Sequence, residues 1–312
     1  DMPLFMNIPK FNNSDIIENG WWNILPKKLV KWVRLGRFDR PVGFWLLLLP
    51  GWWVLALTDI KFINCIKLMI IFLIGAVVMR AAGCTINDLW DKDIDKKISR
   101  TKKRPIANGD ISNQQAFFFL AFMLLIGIIC LYQLNINTWY VALSSLPLVI
   151  IYPLAKRFTK WPQIILGFTF SWSVPTAWSA ASQEWNIGIF IMYFATVFWI
   201  IGYDTIYGCQ DKSEDEVFGI QNSAVSAKNF LSTFVGCMYS FTFILLLIGG
   251  YFLEASFFWF IGVAVIGCHF VNQVLKLKNL NKNAPLKIFK SNVTVGLILT
   301  ISSLGNYINF IK

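Results

Sequence analysis

Residues 65–95 read CIKLMIIFLIGAVVMRAAGCTINDLWDKDID, an apolar run interrupted by Lys67 and Arg80 and followed by Asp88, Asp91, Asp93 and Asp95. The run is close to the roughly 20 residues a helix needs to cross about 30 Å of hydrocarbon. It therefore predicts a membrane-spanning helix with acid at its end. If the helix continues, Asp88, Asp91 and Asp95 lie at i, i+3 and i+7 on one face, and Asp93 does not.

Comparable runs recur along the chain, near 41–58, 65–86, 115–133, 138–153, 162–181, 187–208, 229–251, 255–275 and 291–309. With 312 residues, 56% hydrophobic and only 14% charged, and a mean hydropathy of +0.57, the composition excludes an ordinary soluble domain, a disordered chain and a collagen. The expectation is an all-α polytopic membrane protein with nine transmembrane helices, embedded in a lipid bilayer. Residues 1–40 are expected to form a tail and a basic interfacial helix from Lys27 to Arg40, and residues 41–312 the membrane domain.

The net charge of +11 is a topology signal rather than a sign of nucleic acid. Of the 28 Lys and Arg, all but Lys61, Lys67, Lys312 and the intramembrane Arg80 fall on the N-terminal side of the nine predicted spans. That side is then cytoplasmic or matrix, in a bacterial or mitochondrial inner membrane, and it carries the long connections. The six cysteines have no C-x-x-C pair and read as reduced packing residues, not a disulfide scaffold. Asp15 and Glu18, with no arginine in the first 30 residues, argue against a transit peptide. No required protein partner is implied.

Acid at a membrane edge is costly, yet a second cluster follows the sixth span: Asp204, Asp211, Glu214, Asp215 and Glu216. Asp204, Asp211 and Asp215 are spaced i, i+7 and i+11 and again share a helical face. Either window alone could be a solvated helix end. Two on one side of the membrane, four spans apart, point to an internal repeat and a shared site. Carboxylates without His or Cys favour a hard cation, and Mg²⁺ is typically held by one or two carboxylates together with phosphate oxygens. The arginines of Arg100-Thr101-Lys102-Lys103-Arg104 supply phosphate donors. Arg80, in helical phase with Asn87 and Asp91, either faces the same cavity or bonds to a neighbouring helix. The single histidine, His269, reads as a satisfied core residue.

These segments resemble the UbiA family of membrane prenyltransferases from about Arg34 to Gly305. Asn87 to Gly109 (NDLWDKDIDKKISRTKKRPIANG), Tyr203 to Asp215 (YDTIYGCQDKSED) and Tyr152 to Gly167 (YPLAKRFTKWPQIILG) carry the likeness, supported by Arg37 to Gly43 (RFDRPVG). The resemblance implies nine helices around a central cavity, a polyprenyl diphosphate held through Mg²⁺, and prenylation of 4-hydroxybenzoate meta to its carboxylate. By position it makes Asn87, Asp91, Asp95, Asp211 and Asp215 metal-binding residues, with Asp88 and Asp204 also in motif positions. It places Arg157 at the substrate carboxylate and Lys156, Arg100, Arg104 and Arg40 at the diphosphate. The chain departs from the family where a G-[IV]-K-S-T-A run is usual and Gly219-Ile220-Gln221-Asn222-Ser223-Ala224 stands instead.

The chemistry so implied is ionisation of an allylic carbon–oxygen bond, with positive groups neutralising the departing diphosphate. Trp172, Tyr203 and Tyr207 are candidates to face the resulting cation, and Asp204 to polarise the phenol or take its proton. Another acceptor, such as haem or dihydroxynaphthoate, would keep the same fold. A secondary transporter would need coupling charges at mid-membrane, where only Arg80 lies.

Overall fold

The computed structural model describes residues 16, 19–98, 100–210, 222–227, 230–278 and 284–309, with only the backbone of 156 and 157. Among these residues every regular element is helical. In chain order they are α1 (Lys27–Leu35), α2 (Val42–Ala56), α3 (Phe62–Trp90), α4 (Lys92–Asp95), α5 (Asn113–Tyr132), α6 (Ile136–Leu143), α7 (Leu146–Phe158) and α8 (Pro162–Phe170). There follow α9 (Ser173–Ala180), α10 (Ile187–Gly208), α11 (Ser223–Ala227), α12 (Leu231–Phe252), α13 (Phe257–Lys278), α14 (Ala284–Leu304) and α15 (Asn306–Asn309), with a short 3-10 turn at Trp21–Ile24 before them all.

Among the described residues seven helical stretches are long and apolar enough to cross a membrane: Phe62–Trp90, Asn113–Tyr132, Ile136–Ala155, Ile187–Gly208, Leu231–Phe252, Phe257–Lys278 and Ala284–Ile308. The protein is an integral membrane protein. The other two expected spans are helical but not single long helices. Val42–Ala56 has 15 residues with Pro50 inside it, and the 162–181 segment is split into α8 and α9 by a turn at Ser171 and Trp172. The 138–153 segment is likewise divided between α6 and α7. There the Ser144 and Ser145 hydroxyls donate to the Val141 and Ala142 carbonyls at 2.7 and 2.6 Å, and Pro147 occupies the first turn of α7. Serine back-bonding and a helix-starting proline break a pattern that hydropathy alone reads as continuous.

Two compact units are distinguished. The first joins the described residues up to Pro41 with Val78–Leu125. Its core is Leu35, Ile106, Ile111 and Ala116, and the Trp32 ring stacks on Phe119 with centroids 5.6 Å apart. Lys31 Nζ donates to the Asp110 carbonyl at 3.1 Å. The helix expected to be interfacial, α1, therefore packs in the same unit as the first acidic motif.

The second unit comprises Val42–Val77 and Ile126–Lys312. Its core includes Trp53, Trp199, Tyr203, Tyr239 and Trp259. Lipid is as apolar as these side chains, so helix association rests on close packing and buried polar contacts. Both occur where α10, α12, α13 and α14 meet. Gly202 leaves room for Tyr239, whose ring stacks on Phe270 at 4.2 Å. Tyr239 donates to Gln273 Oε1 at 2.7 Å, and Trp199 Nε1 donates to Asn292 Oδ1 at 2.9 Å. Asn292 Nδ2 reaches Gln273 Oε1 at 3.4 Å, which ties the four helices together.

Candidate functional site

α3 has 29 residues, about 43 Å at 1.5 Å per residue, against roughly 30 Å of hydrocarbon. The surplus length carries Asn87 and Asp88 to the membrane edge. Regular helix stops at Trp90, but the i to i−4 bonding persists: Asp91 N donates to Asn87 O at 2.9 Å and Asp95 N to Asp91 O at 2.8 Å. Asn87, Asp91 and Asp95 thus rise one turn apart on one face. Asn87 and Asp91 are half-buried and Asp95 is buried. Burial pushes the Asp95 carboxyl above the usual carboxylate range, against the opposing pull of the Arg104 guanidinium. Asp93, off this face and exposed, is held below that range by its hydrogen bond and ion pair with Lys96.

Asp88 has a different environment. It is 1% exposed, and Arg37, 7% exposed, sets Nη2 at 2.8 and 2.9 Å from its two oxygens. Arg104 Nη1 lies 3.1 Å from Asp88 Oδ1 and 2.9 Å from Asp95 Oδ2, bridging the two carboxylates. Both oxygens of Asp88 are thereby engaged by guanidinium groups. Arg104, expected at the diphosphate, pairs here with these two carboxylates. The Thr101 hydroxyl donates to the Asp95 carbonyl at 3.1 Å, and Arg104 N to Thr101 O at 2.8 Å, fixing the loop that delivers the arginine. Farther along that loop, Gly109 takes φ +88°, a conformation glycine adopts without steric cost.

Arg40 is half-buried and pairs with the buried Asp39 at 3.0 Å. Arg80 and Arg100 are half-buried in the same unit, Arg80 two helical turns before Asn87.

In the second unit the end of α10 carries Tyr203, Asp204 and Tyr207. Tyr203 is buried, edge-on to Trp199 at 5.1 Å, and Tyr207 packs on Phe289 at 4.7 Å. Asp204 is half-buried. Trp172 donates from Nε1 to the Val141 carbonyl at 2.7 Å. Asp211, Glu214, Asp215 and Glu216 lie outside the described residues, as do the side chains of Lys156 and Arg157.

Sequence reasoning missed the clasp that closes α10. Asn222 Nδ2 donates to the Gly208 carbonyl at 3.0 Å, Gln163 Nε2 donates to Asn222 Oδ1 at 3.2 Å, and Ser223 N returns to Gln163 Oε1 at 3.1 Å. The Thr205 and Ser223 hydroxyls share a 2.8 Å bond. The departure at Gln221-Asn222 therefore has a purpose for Asn222: it satisfies the open helix end, and its side chain occupies the space a Cβ at residue 208 would need.

Among the described residues no three His, Cys, Asp or Glu side chains converge as a metal cage. Two carboxylates and an amide on one face are instead the kind of partial oxygen set that suits a hard cation completed by water and phosphate.

The model of the UbiA prenyltransferase family matches residues 43–300. The chain belongs to this family. It is 40% identical over 289 residues to "4-hydroxybenzoate polyprenyltransferase, mitochondrial" of Aedes aegypti, an alignment covering 88% of this chain and 64% of that protein. The chain thus spans somewhat under two thirds of that relative. A protein of the same name from Rattus norvegicus is 38% identical over 293 residues, covering 91% of this chain and 77% of its own length. The UbiA fold is evident against a UbiA homolog from Aeropyrum pernix K1, with a TM-score of 0.71 and 21% identity over 85% of this chain and 98% of the other. A UbiA homolog from Archaeoglobus fulgidus bound to GPP and Mg²⁺ aligns with a TM-score of 0.63 and 18% identity, covering 88% and 99%.

Proposed function

We propose that this membrane protein transfers a polyprenyl group from polyprenyl diphosphate to the ring of 4-hydroxybenzoate, meta to the carboxylate, in ubiquinone biosynthesis. The observation that carries the reading is the face formed by Asn87, Asp91 and Asp95 in a UbiA-family chain whose relatives bear that activity in their names. In the reaction the allylic carbon–oxygen bond breaks, a carbon–carbon bond forms to the ring, and the ring carbon gives up its proton as diphosphate leaves.

Asn87, Asp91 and Asp95 would hold Mg²⁺ together with Asp211 and Asp215 from the second motif. The metal supplies charge that neutralises the departing diphosphate. Arg40, Arg100, Arg80 and Lys156 are assigned to diphosphate and substrate binding, and Arg157 to the carboxylate of the acceptor, where a planar guanidinium matches it in two places. Asp204 would accept a hydrogen bond from the phenol or take the released proton, and Tyr203 and Tyr207 would wall off the reacting carbon from water. Asp88 and Arg104 hold the first motif in shape. The mitochondrial relatives favour a mitochondrial inner membrane over a bacterial one, and the charge distribution a site on the matrix or cytoplasmic side.

The test is mass spectrometry of products from membranes containing the protein, supplied with 4-hydroxybenzoate, polyprenyl diphosphates of several lengths, and Mg²⁺ or EDTA. An EDTA-sensitive prenylated hydroxybenzoate is the expected result. Product from dihydroxynaphthoate or haem, and none from this acid, would move the acceptor; no prenylated product at all would overturn the reading.

A further inference from the structure

From Ala255 to Lys312 the chain contains no Asp or Glu, while it carries Lys276, Lys278, Lys282, Lys287, Lys290 and Lys312. Two of these line one cleft of about 550 Å³ between the facing ends of α13 and α14: Lys276 from one helix and Lys287 from the other. Both are exposed, and neither joins an ion pair among the described residues. Positive charge gathered from two helices, with no ion-pair partner among the described residues, makes the mouth of this cleft attractive to an anion from outside.

The cleft is polar below its mouth. His269 lies seven residues, about two turns, deeper than Lys276, and Ser291 one turn deeper than Lys287. The Ser291 hydroxyl donates to the Ile288 carbonyl at 2.7 Å, so it accepts from Gln273 Nε2 at 3.1 Å and from His269 Nε2 at 3.1 Å. His269 is half-exposed and Asn272 exposed, not core residues as a lone histidine in an apolar run suggests. Val271 and Leu275, 60% and 55% exposed, place lipid on this face of α13.

We infer that this cleft is a binding site for an anionic phospholipid, its phosphate between Lys276 and Lys287 and its glycerol region against Asn272 and His269. The arrangement matches a lipid along its length: charge at the mouth, hydrogen-bonding groups one to two turns deeper, and apolar side chains alongside for the tails. The distribution of basic residues sets this end of the hairpin on the side where anionic headgroups attract them. The site is independent of the transfer reaction and uses none of its proposed residues.

Native mass spectrometry of the full chain in detergent tests this with phosphatidylglycerol and phosphatidylcholine of identical acyl chains. At roughly fivefold per basic residue, the two lysines give the anionic lipid about a 30-fold preference. The Lys276→Gln/Lys287→Gln variant is expected to lose it and Lys276→Arg/Lys287→Arg to keep it. In the unaltered protein a photoreactive phosphatidylglycerol should label peptides of α13 and α14, and its phosphatidylcholine counterpart should not. Preference surviving in the glutamine variant, label elsewhere on the chain, or displacement of the lipid by inorganic phosphate or diphosphate would each overturn the proposal, the last in favour of a soluble anion.

Discussion

Arg37 places one guanidinium nitrogen against both carboxylate oxygens of Asp88, at 2.8 and 2.9 Å, across 51 residues of sequence. To reach it, Arg37 adopts φ +58°, a left-handed backbone conformation uncommon for a residue with a Cβ. Arg37, Asp88, Arg104 and Asp95 form a largely buried row of alternating charges. Removing Asp88 leaves the buried Arg37 without its carboxylate while Arg104 keeps Asp95, a loss of about 3–5 kcal/mol for such buried pairs. Asp88→Ala is therefore expected to lower the thermal midpoint in detergent sharply, and Arg37→Met/Asp88→Leu to recover a good part of it. An unchanged midpoint in Asp88→Ala would return this residue to the reacting site.

Asp91 is the contrasting case. It stands at the joint between α3 and α4, half-buried, and belongs to the face that is proposed to hold the metal. Asp91→Asn keeps the shape and removes the charge. Turnover should fall by a hundredfold or more, at the scale of a lost charge-stabilising group (roughly 10²–10³), with the thermal midpoint within a few degrees of the parent. Activity close to that of the parent would remove Asp91 from the metal set.

The contrast between these aspartates marks what sequence reading reaches. Spacing put Asp88, Asp91 and Asp95 on one face and the family resemblance added Asn87; helical bonding is local and survives the bend at Asp91, so Asn87, Asp91 and Asp95 keep their one-turn steps. The fate of Asp88 depends on a distant arginine in an unusual backbone state, which no periodicity encodes. The apolar runs gave the helices, while the breaks at Ser144–Ser145 and Ser171–Trp172 arise from single hydroxyl bonds and turns that a hydropathy window averages away. Asn222 read as a departure from a family pattern, and its bond to Gly208 became visible only once the chain had turned back on α10.

Asp95 gives a pH signature. Burial raises its carboxyl above the ordinary value near 3.9, and the Arg104 charge works against that rise. The folded state thus binds this proton more tightly than the unfolded chain, so Asp95 favours folding as pH falls through the raised value and opposes it once ionised. Metal capture needs the ionised form. The apparent affinity for Mg²⁺ in the transfer assay should weaken on the acid side at a pH above the ordinary carboxylate range, and Arg104→Met should move that limb higher still. An acid limb unmoved by Arg104→Met would dissociate Asp95 from the metal.

Close packing between α10 and α12 makes the last prediction. A Cβ on Gly202 would lie 2.6 Å from Tyr239 Cε1 and 2.9 Å from Cδ1. The ring cannot yield, since it is stacked on Phe270 at 4.2 Å and its hydroxyl is bound to Gln273 at 2.7 Å. Gly202→Ala must then shift the helices or break the Tyr239 bond, at a cost of about 1–3 kcal/mol for overpacking. Gly75, on α3, has nothing within 4 Å of the same position. There alanine removes only the helix penalty of glycine, about 1 kcal/mol. Thermal unfolding in detergent should show a lower midpoint for Gly202→Ala and an unchanged or higher one for Gly75→Ala. Equal shifts in the two would mean that glycine serves α10 through backbone freedom rather than through the room it leaves for Tyr239.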